Sequence, residues 1–89
     1  MTQAQDSLIE YPCDFPIKVM GERRDGFAQA MLQAIEPHVG PLSADRVEMR
    51  LSKQARYLSL TLTVHVDSRE QLDCVYRCLT GHPWVKLVL

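Results

Sequence analysis

The chain has 89 residues, 46% of them hydrophobic, with 10 Lys and Arg against 11 Asp and Glu. This length fits one core, and the near-zero net charge argues against a surface that binds nucleic-acid phosphates. No apolar run approaches the roughly 18 residues of a membrane span, and Cys13, Cys74 and Cys78 lack the paired spacing of secreted disulfide proteins. We therefore expect a cytoplasmic protein with reduced thiols and without nucleic-acid or membrane partners.

The start of the chain predicts a lead-in followed by a strand. Residues 1–10 are polar and show no sustained periodicity, so we expect a mobile lead-in to a single domain over residues 11–89. Two prolines then favour an extended approach, and apolar and polar residues alternate from Ile17 onward. This alternation predicts a first strand that ends at Gly21, where a missing side chain permits a sharp exit.

A first helix is predicted after that strand. It should begin near Arg24 or Asp25, because apolar residues then recur at three- and four-residue spacing. Pro37, Gly40 and Pro41 are expected to end it, since proline removes a backbone donor and clashes with the preceding turn. The predicted buried face comprises Phe27, Ala30, Met31, Ala34, Ile35 and His38.

Two further strands follow, over residues 47–52 and 58–66, because apolar and polar residues alternate along both. Ser68 followed by Gln71 is a capping-box pattern that predicts the start of a second helix. Gly81 is expected to cap that helix in a left-handed conformation, and Pro83 prevents its continuation. The buried stripe of helix two should be Leu72, Val75, Tyr76 and Leu79, and a last strand is predicted from Val85, Leu87 and Leu89.

The order strand, helix, strand, strand, helix, strand is that of the α+β ferredoxin-like sandwich. Right-handed crossovers make strands one and three neighbours and place both helices on one face of an antiparallel four-stranded sheet. The other face of the sheet should remain open.

Short motifs along nearly the whole length carry a family resemblance: Phe15-Pro16, Lys18-Val19-Met20-Gly21, Ser52-Lys53 with Tyr57 and Ser59, and the ending Val85 to Leu89. With these the chain resembles the YbeD-like family of small bacterial proteins. The resemblance implies a ferredoxin-like fold, a similarity to ACT-type small-molecule regulatory domains, and the role in regulating lipoate metabolism that has been proposed for the family. The chain departs from the pattern between strands two and three, where a glycine is expected and Gln54-Ala55 stands.

The similarity to ACT domains directs attention to the turn between strand one and helix one. A glycine there lets a charged ligand group approach backbone N–H groups at the helix start. Gly21, Arg24 and Gly26 occupy that place and are candidate ligand-binding residues. The alternative is that the two glycines only allow the chain to turn. His65 is a fourth candidate, because it shares the open sheet face with threonines that could also contact a ligand.

The open sheet face is the predicted contact surface for a protein partner or a second copy of the chain. Its mixed charges and threonines suit coverage by another surface, and tryptophan and arginine are favoured interface anchors. Met20, Trp84 and Val88 are its candidate apolar members, although a core position for Trp84 and a solvated face are open alternatives. The candidate interface residues are Lys18, Arg50, Thr61, Thr63, Trp84 and Lys86.

The sequence favours neither catalysis nor a metal or other cofactor. Cys74 and Cys78 would need two further ligands to hold zinc, and the three histidines have no converging spacing. Acyl-phosphate chemistry on this fold would use Arg23 and Arg24 beside a positioning amide, yet the chain has no asparagine. RNA-binding relatives of this topology stack bases on central-strand aromatics, where this chain has Ser59, Thr61 and Thr63.

The leading functional hypothesis is therefore a non-enzymatic regulatory or adaptor domain that binds a protein partner, itself or a small metabolite. Two alternatives remain: a small acyl-phosphate hydrolase or transferase that uses the two arginines as a clamp, and a purely structural interaction protein.

Overall fold

The computed structural model describes residues 10–52 and 54–89. Of the predicted lead-in, only Glu10 falls within this range, and it is exposed. The strands form one antiparallel sheet in the order β2-β3-β1-β4, with both helices on one face, which confirms the predicted ferredoxin-like fold. The elements are β1 (Cys13–Glu22), α1 (Phe27–Val39), a 3₁₀ turn (Ala44–Arg46), β2 (Val47–Leu51), β3 (Tyr57–Val66), α2 (Arg69–Thr80) and β4 (Val85–Val88).

The core is built on the two central strands. β1 pairs with β3 along its full length, with Cys13 opposite Val66 and Glu22 opposite Tyr57. Alternate side chains of both strands turn toward the helices and away from water, because the side-chain period of a strand is two. Ile17 and Val19 of β1 are fully buried there, together with every second residue of β3 from Leu60 to Val66. The helices complete this core with Phe27, Met31, Ile35, Leu72, Val75 and Leu79.

Helix α1 differs from its prediction at both ends. It begins at Phe27 and not near Arg24, because Gly26 takes a left-handed conformation with φ of 81° and forms the N-cap. It also includes Pro37 and ends at Val39, two residues beyond the expected break. Proline forfeits one backbone hydrogen bond, but Val39 still packs against the core. The Gly40 N–H then donates to the Glu36 carbonyl at 2.7 Å and closes the last turn.

Helix α2 begins as the sequence predicts. The Ser68 hydroxyl accepts the Gln71 N–H at 3.2 Å, and the Gln71 amide oxygen accepts the Asp67 N–H at 2.7 Å. The same Gln71 amide also donates to the His38 carbonyl at 2.7 Å, so it joins the start of α2 to the end of α1. The left-handed cap expected at Gly81 is wrong, because that residue has φ of −83°.

The edge strands have different surroundings from the central pair. On the helix side of β2, Met49 is 57% exposed and Leu51 is 53% exposed, because α1 and α2 leave this edge uncovered. β4 pairs with β1 over only a few residues, and the register shifts between Met20 and Gly21. Val88 consequently packs against the core, and the expectation that it lies on the open face is wrong.

The turn between β2 and β3 offers a test of backbone strain. Ala55 has φ of 56°, a left-handed conformation that costs an L-residue about 1–2 kcal/mol. Ala55→Gly should therefore raise the free energy of unfolding by roughly 0.5–1 kcal/mol, after allowance for the greater flexibility of unfolded glycine. Urea denaturation measures the change. The matched change Ala34→Gly, inside α1, should lower the same quantity by about 1 kcal/mol; a loss of stability in both variants would contradict the assignment of strain to Ala55.

Candidate functional site

A groove lies between the start of α1 and the uncovered side of β2. The chain leaves β1 at Glu22, turns through Arg23 to Asp25 and enters α1 after Gly26. The Arg23 N–H donates to the Arg56 carbonyl at 2.9 Å, which ties this turn to the start of β3. The resulting groove has a volume of about 820 Å³. Its apolar lining comprises Phe27, Ala28, Met49, Leu51 and Leu58.

The rim of the groove is mainly cationic. Arg23, Arg24 and Asp25 contribute two guanidinium groups and one carboxylate. Gly26 also lines the groove and caps α1 without a side-chain hydrogen bond, so the positive end of the helix dipole faces the same space. The structure therefore brings together two of the four residues predicted to bind a ligand, Arg24 and Gly26.

Arg24 is oriented by Trp84. Its guanidinium carbon lies 4.4 Å from the centroid of the Trp84 ring, a cation–π contact that contributes about 0.5–1 kcal/mol at an exposed site. The Trp84 ring meets the His82 ring edge-on, with centroids 5.5 Å apart, and the Trp84 N–H donates to His82 Nδ1 at 3.1 Å. Trp84 is half-buried against the core on the helix side of the sheet. Of the two positions that the sequence left open for Trp84, the structure therefore shows the core position and not the open face. Trp84 contributes to the groove only through its contact with Arg24.

Gly21 lies behind the groove and does not line it. A Cβ atom at this position would fall 2.6 Å from the Phe27 ring and closer still to the Trp84 carbonyl oxygen. Close packing at the end of β1 therefore accounts for a glycine here.

His65, the fourth predicted ligand residue, lies at the opposite end of the sheet. His65 pairs with Asp14 across β1 and β3. Asp14 is seven residues from Gly21 along β1, which corresponds to roughly 23 Å at the usual rise per residue of a strand. His65 Nδ1 is 3.0 Å from Asp14 Oδ1, and Arg46 approaches the other oxygen of the same carboxylate at 3.3 Å. Asp67 lies 3.6 Å from His65 Nε2. His65 thus belongs to an exposed ion network, separate from the groove.

The predicted interface residues fall mostly on the open face. Lys18 lies opposite Thr61 in the sheet, and Thr63 and Arg50 lie on the same face. Lys86 reaches this face through its contact with Glu22, at 3.8 Å. An apolar strip formed by Met20, Leu87 and Leu89 runs along its β4 edge, since Leu87 pairs with Met20, and the Leu89 and Lys18 backbones bond to each other.

Sequence patterning did not identify Met49 and Leu51 as site residues. Their alternation with charged neighbours predicts burial, which holds only for a strand that a helix covers. The predicted strand order does place β2 at an edge of the sheet. The alternation along β2 does not show, however, that the two helices leave the inner face of this strand exposed.

A cysteine and a histidine meet where the two helices end. Cys78 Sγ lies 3.1 Å from His38 Nε2, and both side chains are half-buried. Among residues 10–52 and 54–89, no group of three or more His, Cys, Asp or Glu side chains could hold a metal ion. Neither of the described helices is long and apolar enough to cross a membrane.

Comparisons with known proteins give a consistent result. A family model described as "Protein of unknown function (DUF493)" matches residues 6–89. A UPF0250 protein of Ralstonia nicotianae is 51% identical over 88 residues, covering 99% of this chain and 91% of the relative. A UPF0250 protein of Bordetella pertussis is 53% identical over 88 residues, covering 96% and 93% respectively. The solution structure of protein HP0495 from H. pylori shares the fold, with a TM-score of 0.72, 19% identity, and coverage of 91% of this chain and 85% of the other.

The ion network at His65 gives a testable pH dependence. Hydrogen bonds from Arg46 and His65 lower the pKa of the Asp14 carboxyl below its ordinary value of 3.8. The pKa of Asp14 is lower in the folded state than in the unfolded state. The Asp14 carboxylate therefore stabilises the fold fully above the unfolded-state pKa, and this contribution is lost as pH falls through the folded-state pKa. A carboxyl ¹³C titration should place the Asp14 midpoint below 3.8, and Arg46→Ala should raise it. Lys18→Ala, farther along β1, should leave the midpoint unchanged; a wild-type midpoint at or above 3.8 would contradict the assignment.

Proposed function

This chain belongs to the DUF493 family of small bacterial proteins, the YbeD-like family that its motifs indicate, and we propose that it is a non-enzymatic regulatory or adaptor domain that binds a small ligand in the groove. The ligand we propose is a carboxylic acid with an apolar chain, the chemistry that lipoate and octanoate share. The observation that carries the proposal is a groove with an apolar floor and a cationic rim, beside a helix start that has no side-chain cap. The proposal treats residues 11–89 as one functional domain.

The size and the floor of the groove support an apolar chain. A volume of about 820 Å³ lies within the range of small-molecule sites, which run from roughly 300 to 1,000 Å³. Met49 and Leu51 each leave more than half of their surface exposed on this side. Covering such apolar surface stabilises a complex by about 25 cal/mol per Å² before the costs of association.

The rim supports an anionic head group. Arg23 and Arg24 have no ion pair with any residue that the structure describes, whereas Arg46 and Lys86 elsewhere are paired with carboxylates. The stacking of the Arg24 guanidinium on Trp84 restricts its movement and reduces the entropy lost when Arg24 binds an anion. Arginine also suits a carboxylate geometrically, because its planar fork can donate two parallel hydrogen bonds.

The lining favours binding over chemistry. The described lining residues provide apolar surface, two guanidiniums, one carboxylate and one amide, which can hold and orient a ligand.

The compartment of the domain follows from its cysteines. Free thiols at Cys13, Cys74 and Cys78 suit a reducing compartment, so the domain we propose works in the cytoplasm. A ligand bound in the groove would regulate by favouring one conformation or assembly of the domain over another.

Octanoate is the probe that tests this proposal. Saturation at a hundredfold excess over its dissociation constant should stabilise the protein by about 2.7 kcal/mol, seen as a rise in melting temperature. Amide shifts in a ¹⁵N spectrum should concentrate at Arg24 to Gln29 and at Met49 to Leu51. Arg24→Gln should weaken binding by about tenfold or more, because hydrogen bonds to charged groups contribute about 1.5–3 kcal/mol. Lipoate should compete with octanoate for the same site.

Matched controls separate the two parts of the ligand and the two faces of the sheet. Octanol has the same apolar chain as octanoate and no charge. It should bind the wild type more weakly than octanoate does, and it should bind the wild type and Arg24→Gln with equal affinity. Lys18→Gln, on the open face, should leave octanoate binding unchanged.

Two results would contradict the proposal. A melting temperature that neither octanoate nor lipoate changes would overturn it and favour a purely structural interaction protein. Turnover of acetyl phosphate that is lost when Arg23 and Arg24 both become alanine would favour the hydrolase instead.

A further inference from the structure

The outer edge of β2 has free backbone hydrogen-bonding groups. β2 pairs with β3 on one side only and stands at the end of the sheet. The Ser52 N–H donates to the Tyr57 carbonyl at 2.9 Å, so Ser52 directs its backbone groups toward β3. Alternate residues of an antiparallel strand share this direction. Glu48 and Arg50 therefore also face β3, and the groups of Val47, Met49 and Leu51 face away from it. The Val47 N–H donates to the Ala44 carbonyl, so the free groups of the edge are the Val47 C=O and both backbone groups of Met49 and Leu51.

The residues of this edge form a self-complementary sequence. Read in either direction, Val47–Leu51 places apolar residues at the first, third and fifth positions and charges of opposite sign at the second and fourth. We propose that β2 pairs antiparallel with β2 of a second copy of this chain, about a two-fold axis at Met49. The outward groups of Met49 then meet those of the second copy's Met49, and the Val47 carbonyl accepts the N–H of the second copy's Leu51, so every free outward N–H of the strand finds an acceptor.

Charge selects this register over its neighbours. With the axis at Met49, Glu48 lies opposite Arg50 of the second copy, and this pair occurs twice by symmetry. A shift of the axis by one residue would place Glu48 opposite Glu48, or Arg50 opposite Arg50, and like charges directly opposite each other are destabilising. Both side chains are exposed, at 64% and 78%, and lie 3.5 Å apart within one chain, so each is already on the correct face.

The apolar side of the strand agrees with the same pairing. Met49 and Leu51 are the large hydrophobic residues that β2 exposes on the helix side. Apolar side chains on an unpaired edge strand are otherwise a hazard for aggregation. In the two-fold arrangement they adjoin their counterparts across the axis, and two sheets of four strands become one of eight. This inference does not depend on a ligand in the groove.

Reversal of the two charges tests the pairing and its register. In sedimentation velocity over a range of concentrations, the wild-type chain should form a dimer. Glu48→Arg and Arg50→Glu should each weaken it by about tenfold, because each replaces two opposite-charge pairs with two like-charge pairs. An equimolar mixture of the two variants should recover wild-type association as a heterodimer, since every cross-axis pair is then of opposite sign. The double variant, with the charges exchanged, should recover it as a homodimer.

The variants also distinguish this edge from other surfaces. All three changes are at exposed positions, and unchanged melting temperatures at high dilution will show that the fold is intact. Lys18→Glu, on the open face, should leave the dimer unchanged. A wild-type chain that remains monomeric at millimolar concentration would overturn the inference. So would a dimer that neither single variant weakens, or a mixture of variants that fails to associate.

Discussion

The burial of the inner face of β1 and β3 beneath two helices is the interaction on which the rest of the structure depends. These strands pair over their full length, and their fully buried inward residues are Ile17 and Val19 of β1 and Leu60, Leu62, Val64 and Val66 of β3. Because α1 and α2 cover this central pair, the edge strand β2 keeps apolar side chains on the same face without a cover. The groove and the free edge are both consequences of this arrangement. Both features belong to β2: its apolar side chains line the groove, and its backbone forms the free edge of the sheet.

Packing at the end of β1 links the core to the charges around the groove. Gly21 leaves room for the Phe27 ring and the Trp84 carbonyl, which brings the start of α1 and the approach to β4 against the strand. Trp84 in turn supports the Arg24 guanidinium at 4.4 Å. Two glycines near this turn therefore have different physical roles. Gly21 permits close approach, whereas Gly26 supplies a left-handed backbone at the helix start.

The two proposals meet at Met49 and Leu51. A second copy paired along β2 would extend the floor of the groove across the symmetry axis, and a ligand there would contact both copies. Ligand binding and dimerisation would then favour each other, as thermodynamic linkage requires when a ligand binds one assembly state better than another. Each proposal nevertheless has its own measurement, since octanoate binding depends on Arg24 and the pairing of edges depends on Glu48 and Arg50.

The sequence by itself determined the elements, their order and the core. The alternation in 58–66, the apolar spacing after Phe27 and the capping pair Ser68 and Gln71 all predicted local structure correctly, because these patterns depend on neighbours within a few residues. Arg24 and Gly26 were indicated by the resemblance of the sequence to ACT-type domains and not by these local patterns. Only the tertiary structure decided that Met49 and Leu51 are exposed, that Val88 lies in the core and that His65 is far from the groove. Each of these depends on which elements cover or pair with a strand, and alternation along a strand reports its two faces without specifying what lies against either.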